Sequence, residues 1–137
     1  MANMCKDKKL IFNFQAVFNQ QVFLADGVSA KIMGKGKVKL PCLTQPIDVL
    51  YVPKIKHNLL SVSSLAKEGF TSKFYKSKCI ITGENNEKLT CYIRNNLYRL
   101  NSVNANNVYE NVCPHRYCIH LWHLRLGHAN YKTNVTL

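Results

Sequence analysis

The residues best equipped for chemistry crowd toward the C-terminal end of the chain. Cys113, His115, Cys118, His120, His123 and His128 fall within sixteen positions. Thiolate sulfur and imidazole nitrogen are the usual zinc donors, and a structural site takes four of them in a tetrahedron. His123 and His128 are separated by four residues. On one helix they point partly apart, and a break at Gly127 lets the second swing back. A close-spaced cysteine pair downstream is the usual complement, and Cys113 and Cys118 upstream are the available substitutes. The metal expectation is therefore an incomplete zinc site on His123 and His128. Cys118 with His120 imitates a nucleophile and its base, but nothing nearby orients the imidazole or donates to an oxyanion.

Acid chemistry on a peptide bond needs two carboxylates that share one proton. Asp26-Gly27 follows the apolar run Val22–Ala25, but no hydroxyl residue stands between Asp and Gly. Asp26 reads as a hairpin turn residue. Asp7 and Asp48 have no turn glycine beside them, so no catalytic residue is assigned. Gly34 and Gly36 are followed by neither a Gly-Lys-Ser/Thr motif nor a long helix, which excludes a nucleotide cofactor site there. A turn, or the close approach of another backbone, explains them better.

The elements that must position these residues are mainly strands. Leu10–Phe18 is apolar without a clean period and suits a strand or a helix turn. Gln21–Ala25 and Val28–Met33 suit two strands around the Asp26-Gly27 turn. Gly34-Lys35-Gly36 interrupts, and Lys37–Leu40 alternates as a half-exposed strand does. Met1–Lys9 reads as polar and frayed. Ile47–Val52 is a strand ended by Pro53. Ser61 or Ser63 caps a short helix with Val62, Leu65 and Ala66 on one face, and Gly69 stops it. Short strands follow at Phe70–Tyr75, Cys79–Thr82, Leu89–Arg94 and Leu97–Leu100. Asn101–Asn111 is an asparagine-rich linker, and Leu121, Trp122, Leu124 and Leu126 make a short helix candidate. The predicted fold class is mainly β: a β-meander with one short helix, then small hairpins and a short helical tail.

Nineteen Lys and Arg against seven Asp and Glu give 137 residues a net charge of +12. Such a chain attracts polyanions, nucleic acid above all, although the lysines are spread thinly and form no stripe. Six cysteines invite a disulfide reading. The N-terminal residues lack the apolar core of a secretory signal, and a reducing cytoplasmic or nuclear setting is the simpler expectation. No run reaches membrane-spanning length, so no membrane partner is expected.

Several motifs in order resemble one family. Val49-Leu50-Tyr51-Val52-Pro53 followed by His57-Asn58-Leu59-Leu60-Ser61-Val62 is the most specific. Met4–Lys8, Leu24-Ala25-Asp26-Gly27 with Gly34-Lys35-Gly36, Leu97–Leu100 and Leu121–Ala129 accompany it. Together they resemble a copia/Ty1-type retrotransposon Pol polyprotein. The resemblance implies three parts: residues 1–69 as a truncated retropepsin-like protease region, 70–111 as a pre-integrase segment, and 112–137 as an incomplete integrase zinc-binding region. It also implies His123 and His128 as the histidines of an HHCC zinc site. The family's Asp-Ser-Gly-Ala turn belongs just before Met4, where this chain has Met1-Ala2-Asn3. The distal cysteine pair and the integrase acidic triad are absent as well. The expectation is a Pol fragment that catalyses nothing alone. The alternative is a basic nucleic-acid binder with a zinc-assisted Cys/His tail. Self-association as a homodimer through exposed strand edges is a third expectation.

Overall fold

The computed structural model describes residues 2–24, 26–100 and 122–125, the last four by backbone and the Leu124 side chain. The described strands are β1 (Met4–Cys5), β2 (Phe12–Phe23), β3 (Ser29–Val38), β4 (Ile47–Tyr51) and β5 (Asn58–Ser61) in the first part. In the second part they are β6 (Thr71–Phe74), β7 (Lys78–Thr82), β8 (Lys88–Arg94), β9 (Leu97–Leu100) and β10 (Trp122–Arg125). Among the described residues there is one α-helix, α1, at Val62–Lys67, and a 3-10 turn at Lys8–Leu10. Among the described residues these strands form one sheet in the order β2-β3-β4-β1-β5-β10-β9-β8-β7-β6. The mainly-β expectation holds.

Alternation shapes the first half. In β3, Ala30, Ile32, Gly34 and Val38 are buried, whereas Ser29, Lys31, Met33 and Lys35 are exposed, the pattern of a strand with one face on a core. Gly34 and Gly36 do not interrupt it. They lie inside one continuous strand, because β2 closes over them. A Cβ on Gly34 would overlap the Phe14 ring, and one on Gly36 would overlap Ile11 and come within 2.8 Å of the Phe12 carbonyl. The close-approach reading of these glycines is the correct one. Likewise Leu10–Phe18 and Gln21–Ala25 are not two elements. Residues 12–23 form a single strand whose register against β3 shifts twice, between Phe12 and Gln15 and between Ala16 and Gln20. Asn13 and Asn19 adopt left-handed φ of 52° and 58° there. Asn tolerates that region better than other non-glycine residues.

The N-terminal residues are not frayed. Asn3, Met4 and Cys5 are all at most 5 % exposed. β1 runs parallel to β4, with Met4 opposite Leu50, and antiparallel to β5, with Met4 opposite Leu59. The β-meander expectation holds for β2, β3 and β4, which pair in chain order, and β1 adds a strand that inserts between β4 and β5. The two-residue Met4-Cys5 segment is too short for a periodicity signal, which is why the sequence does not advertise it.

Ser61 caps α1 as expected, its Oγ accepting from the Ser64 N–H at 3.3 Å. Leu65 is fully buried, and Gly69 takes φ of 94° just beyond the last helical turn. The predicted helix around Trp122 is a correction. Trp122–Arg125 is a strand, parallel to β5 and antiparallel to β9. Ladder partners on both sides outweigh the weak helical spacing of a four-residue apolar segment.

Candidate functional site

Two clefts flank the β2–β3 hairpin. The first, of about 850 Å³, lies between the hairpin, the N-terminal segment and α1, and includes Asn3, Lys35, Lys37, Asp48, Lys67 and Glu68. Asn3 organises its floor. Its Oδ1 accepts from the Ser61 N–H at 2.7 Å, its Nδ2 donates to the Asp48 carbonyl at 3.0 Å, and its backbone carbonyl accepts from the Leu50 N–H at 2.9 Å. Glu68 reaches back from the end of α1, and its Oε1 accepts from the Asp48 N–H at 2.8 Å. Asp48 itself pairs with Lys37 at 2.7 Å. Burial holds the Glu68 carboxyl above its ordinary range, with the Asp48 charge adding to that and the Asp48 N–H and Lys37 opposing it. Two neighbouring carboxylates could in principle exchange a proton. Here each is tied to a structural partner, and the Asp48 side chain is 69 % exposed.

The second cleft, of about 660 Å³, lies along the bulged middle of β2 and includes Lys8, Phe14, Phe18, Gln21, Lys31 and Tyr51. Among the described residues that line it there is no Asp or Glu. Lys8 Nζ stands 4.6 Å over the centre of the Phe14 ring, a cation–π contact. Phe14 meets Tyr51 edge to face, with ring centres 5.9 Å apart. Phe18 is 79 % exposed. A further basic group forms around His57, whose pKa is lowered by burial and then by the charges of Lys6, Arg99 and Lys56. The fold thus gathers charge that looks scattered along the chain.

The residues singled out from sequence fall as follows. Asp26 sits in the β2–β3 turn, its Oδ1 accepting from the Val28 N–H at 2.9 Å, next to Gly27 at φ of 82°. His123 has its backbone in β10, opposite Leu59 and Arg99. His128, Cys113, Cys118, His115 and His120 lie outside the described residues. Among the described residues no group of three or more His, Cys, Asp or Glu is placed to hold a metal. Cys5, Cys79 and Cys91 are buried, and burial pushes the first two thiols up to about 11 and about 12. Thiols held in that form are poor nucleophiles. No described helix is long and apolar enough to cross a membrane.

Sequence reasoning missed Asn3, Glu68, Lys8 and Phe18. For Phe18 a signal existed: an aromatic run without a period, punctuated by Asn13 and Asn19, describes a strand broken by bulges. For Asn3 and Glu68 there was none, because their partners are 20 to 65 residues distant.

Comparison with known proteins places these features in a family. Residues 1–70 match the Pol polyprotein β-barrel domain. The chain is also similar to the retrovirus-related Pol polyprotein from transposon TNT 1-94 of Nicotiana tabacum. The two are 30 % identical over 107 residues, which cover 75 % of this chain and 8 % of that relative. No solved structure matches. With more than half its length matched, the chain belongs to the family of retrotransposon Pol polyproteins that carry this β-barrel domain.

Proposed function

We propose that this stretch of Pol polyprotein, akin to the aspartic endopeptidase and integrase parts of such proteins, binds rather than catalyses. The observation that carries the reading is the commitment of its cleft carboxylates to the fold. Asp48 is held by Lys37, and Glu68 by the Asp48 N–H, while Asp26 closes its own turn. None of the three stands in a hydroxyl-bearing glycine turn, the frame that pairs two acids around one proton. Incubation with unfolded protein between about pH 4 and pH 7, the range in which such dyads work, should give no cleavage. Pepstatin-sensitive cleavage that Asp26→Asn or Asp48→Asn abolishes would overturn the reading.

A second reading, nucleic-acid binding, is favoured by the acid-free aromatic and lysine-lined cleft and by the net charge of +12. It includes a zinc ion on His123 and His128, with Cys113 and Cys118 as further ligands. Such a site takes up one equivalent of Zn²⁺ near neutral pH and weakens steeply on acidification, as thiols and imidazoles protonate. Equal uptake by the wild type and a His128→Ala variant would count against the zinc.

A further inference from the structure

We infer that the groove along the bulged middle of β2 holds single-stranded nucleic acid, with a base against Phe18 and phosphates against Lys8 and Lys31. The inference rests on the nucleic-acid reading and gives it a place in the fold.

Three observations converge on that occupant. The first is the aromatic exposure. A ring 79 % exposed on a strand is set out by the backbone, not left over from the core. The register shift between Ala16 and Gln20, with Asn19 in the left-handed region, turns this part of β2 out of regular pairing, and bulges commonly re-aim side chains in this way. The second is the charge. Lys8 and Lys31 line the groove with no carboxylate among its described neighbours, whereas in the other cleft Lys35, Lys37 and Lys67 face the carboxylates of Asp48 and Glu68. An acidic peptide would satisfy the lysines but not the rings. A polymer with flat aromatic faces and a regular anionic backbone satisfies both. The third is the set of amides. Asn19, Gln20 and Gln21 line the same groove and can both donate to and accept from base edges. A duplex hides its base faces, so the aromatic surface selects unpaired strands.

The test is titration of the chain with a fluorescent thymidine or uridine 20-mer at low ionic strength, followed by anisotropy. Phe18→Ala should weaken binding about fivefold or more, the loss that one stacked base implies, and Phe18→Trp should restore it. Lys8→Gln combined with Lys31→Gln should flatten the slope of log affinity against log salt by about 1.4. Lys73→Gln, on the opposite edge strand β6, should leave affinity within about twofold. Circular dichroism on each variant checks that the fold is kept; a ring as exposed as Phe18 contributes little to the core. Binding that survives both the Phe18 and the lysine changes overturns the groove but leaves the nucleic-acid reading standing. No binding to any strand overturns both. Preference for duplex, or a dimer that Phe18→Ala dissolves while nucleic-acid affinity stays constant, makes the occupant something else and also overturns the inference.

Discussion

At the scale of single residues, Asn3 and Glu68 do more than their positions in the chain suggest. Asn3 satisfies the buried Ser61 N–H and the Asp48 carbonyl at once. Asn3→Ala strands both groups, and a stranded buried polar group costs about 1–3 kcal/mol. Urea unfolding should show the variant less stable by about 2–4 kcal/mol, a large part of a small domain's stability. Glu68 titrates above its ordinary 4.5 in the folded chain. The folded state therefore holds the proton more tightly than the unfolded state. In that window stability falls as pH rises, and the full contribution is present below the unfolded pKa. Glu68→Gln keeps an acceptor for the Asp48 N–H and removes the titration. Its stability, measured by denaturant from about pH 4 to pH 7, should lack the decline seen in the wild type. Parallel curves for the two would show that Glu68 carries no such linkage.

At the scale of elements, the β2–β3 hairpin shows what alternation reveals and what it hides. Its turn was legible from Asp26-Gly27, and β4, α1 and β6 to β9 were legible from short apolar runs bounded by turn residues. The unity of β2 was not, since two bulges scramble its period, nor was that of β3, since glycine normally signals a break. Both glycines serve contact instead. At Gly36 the crowding atoms include the Phe12 carbonyl at 2.8 Å, which is backbone and cannot rotate away, whereas at Gly34 the nearest atoms belong to the end of the Phe14 ring and the Gln15 carbonyl stands farther off, at 3.0 Å. Gly36→Ala should therefore cost about 1–3 kcal/mol, as overpacking does, and Gly34→Ala less. Gly34→Ala should instead displace Phe14 from Tyr51 and Lys8 and loosen the groove. Equal losses of stability in the two variants would contradict this account. The strand at Trp122–Arg125 was illegible for a different reason. Its identity comes from β5 and β9, which lie far away in sequence.

At the scale of the whole molecule, the sheet joins two hairpin systems through β10 and β5. Its main core includes Leu43, Leu60, Leu65, Ile81 and Leu89 from both halves. Leu65 is fully buried between them. Leu65→Ala should cost about 2–5 kcal/mol and, in a protein with marginal reserve, bring both halves down together. Near-ultraviolet and far-ultraviolet circular dichroism should then give coincident transitions. Separate transitions would show that the halves stand alone. The candidate groove was half legible. Charge predicted attraction to polyanions, but only the fold brings Lys8 from the N-terminal segment against Phe14 and sets Lys31 across from Gln21.

The placement of β1 between β4 and β5 has a consequence for biosynthesis. Met4 leaves the ribosome about 55 residues ahead of Leu59, its farther ladder partner, a delay of roughly 3–10 s at ordinary elongation speeds. Until Leu50 and Tyr51 of β4 have emerged, Met4 and Cys5 lack either ladder partner, and until Leu59 follows, one side of β1 stays unpaired. The nascent chain therefore carries a short unclaimed strand between β4 and β5, open to pairing with another chain until both neighbours are in place.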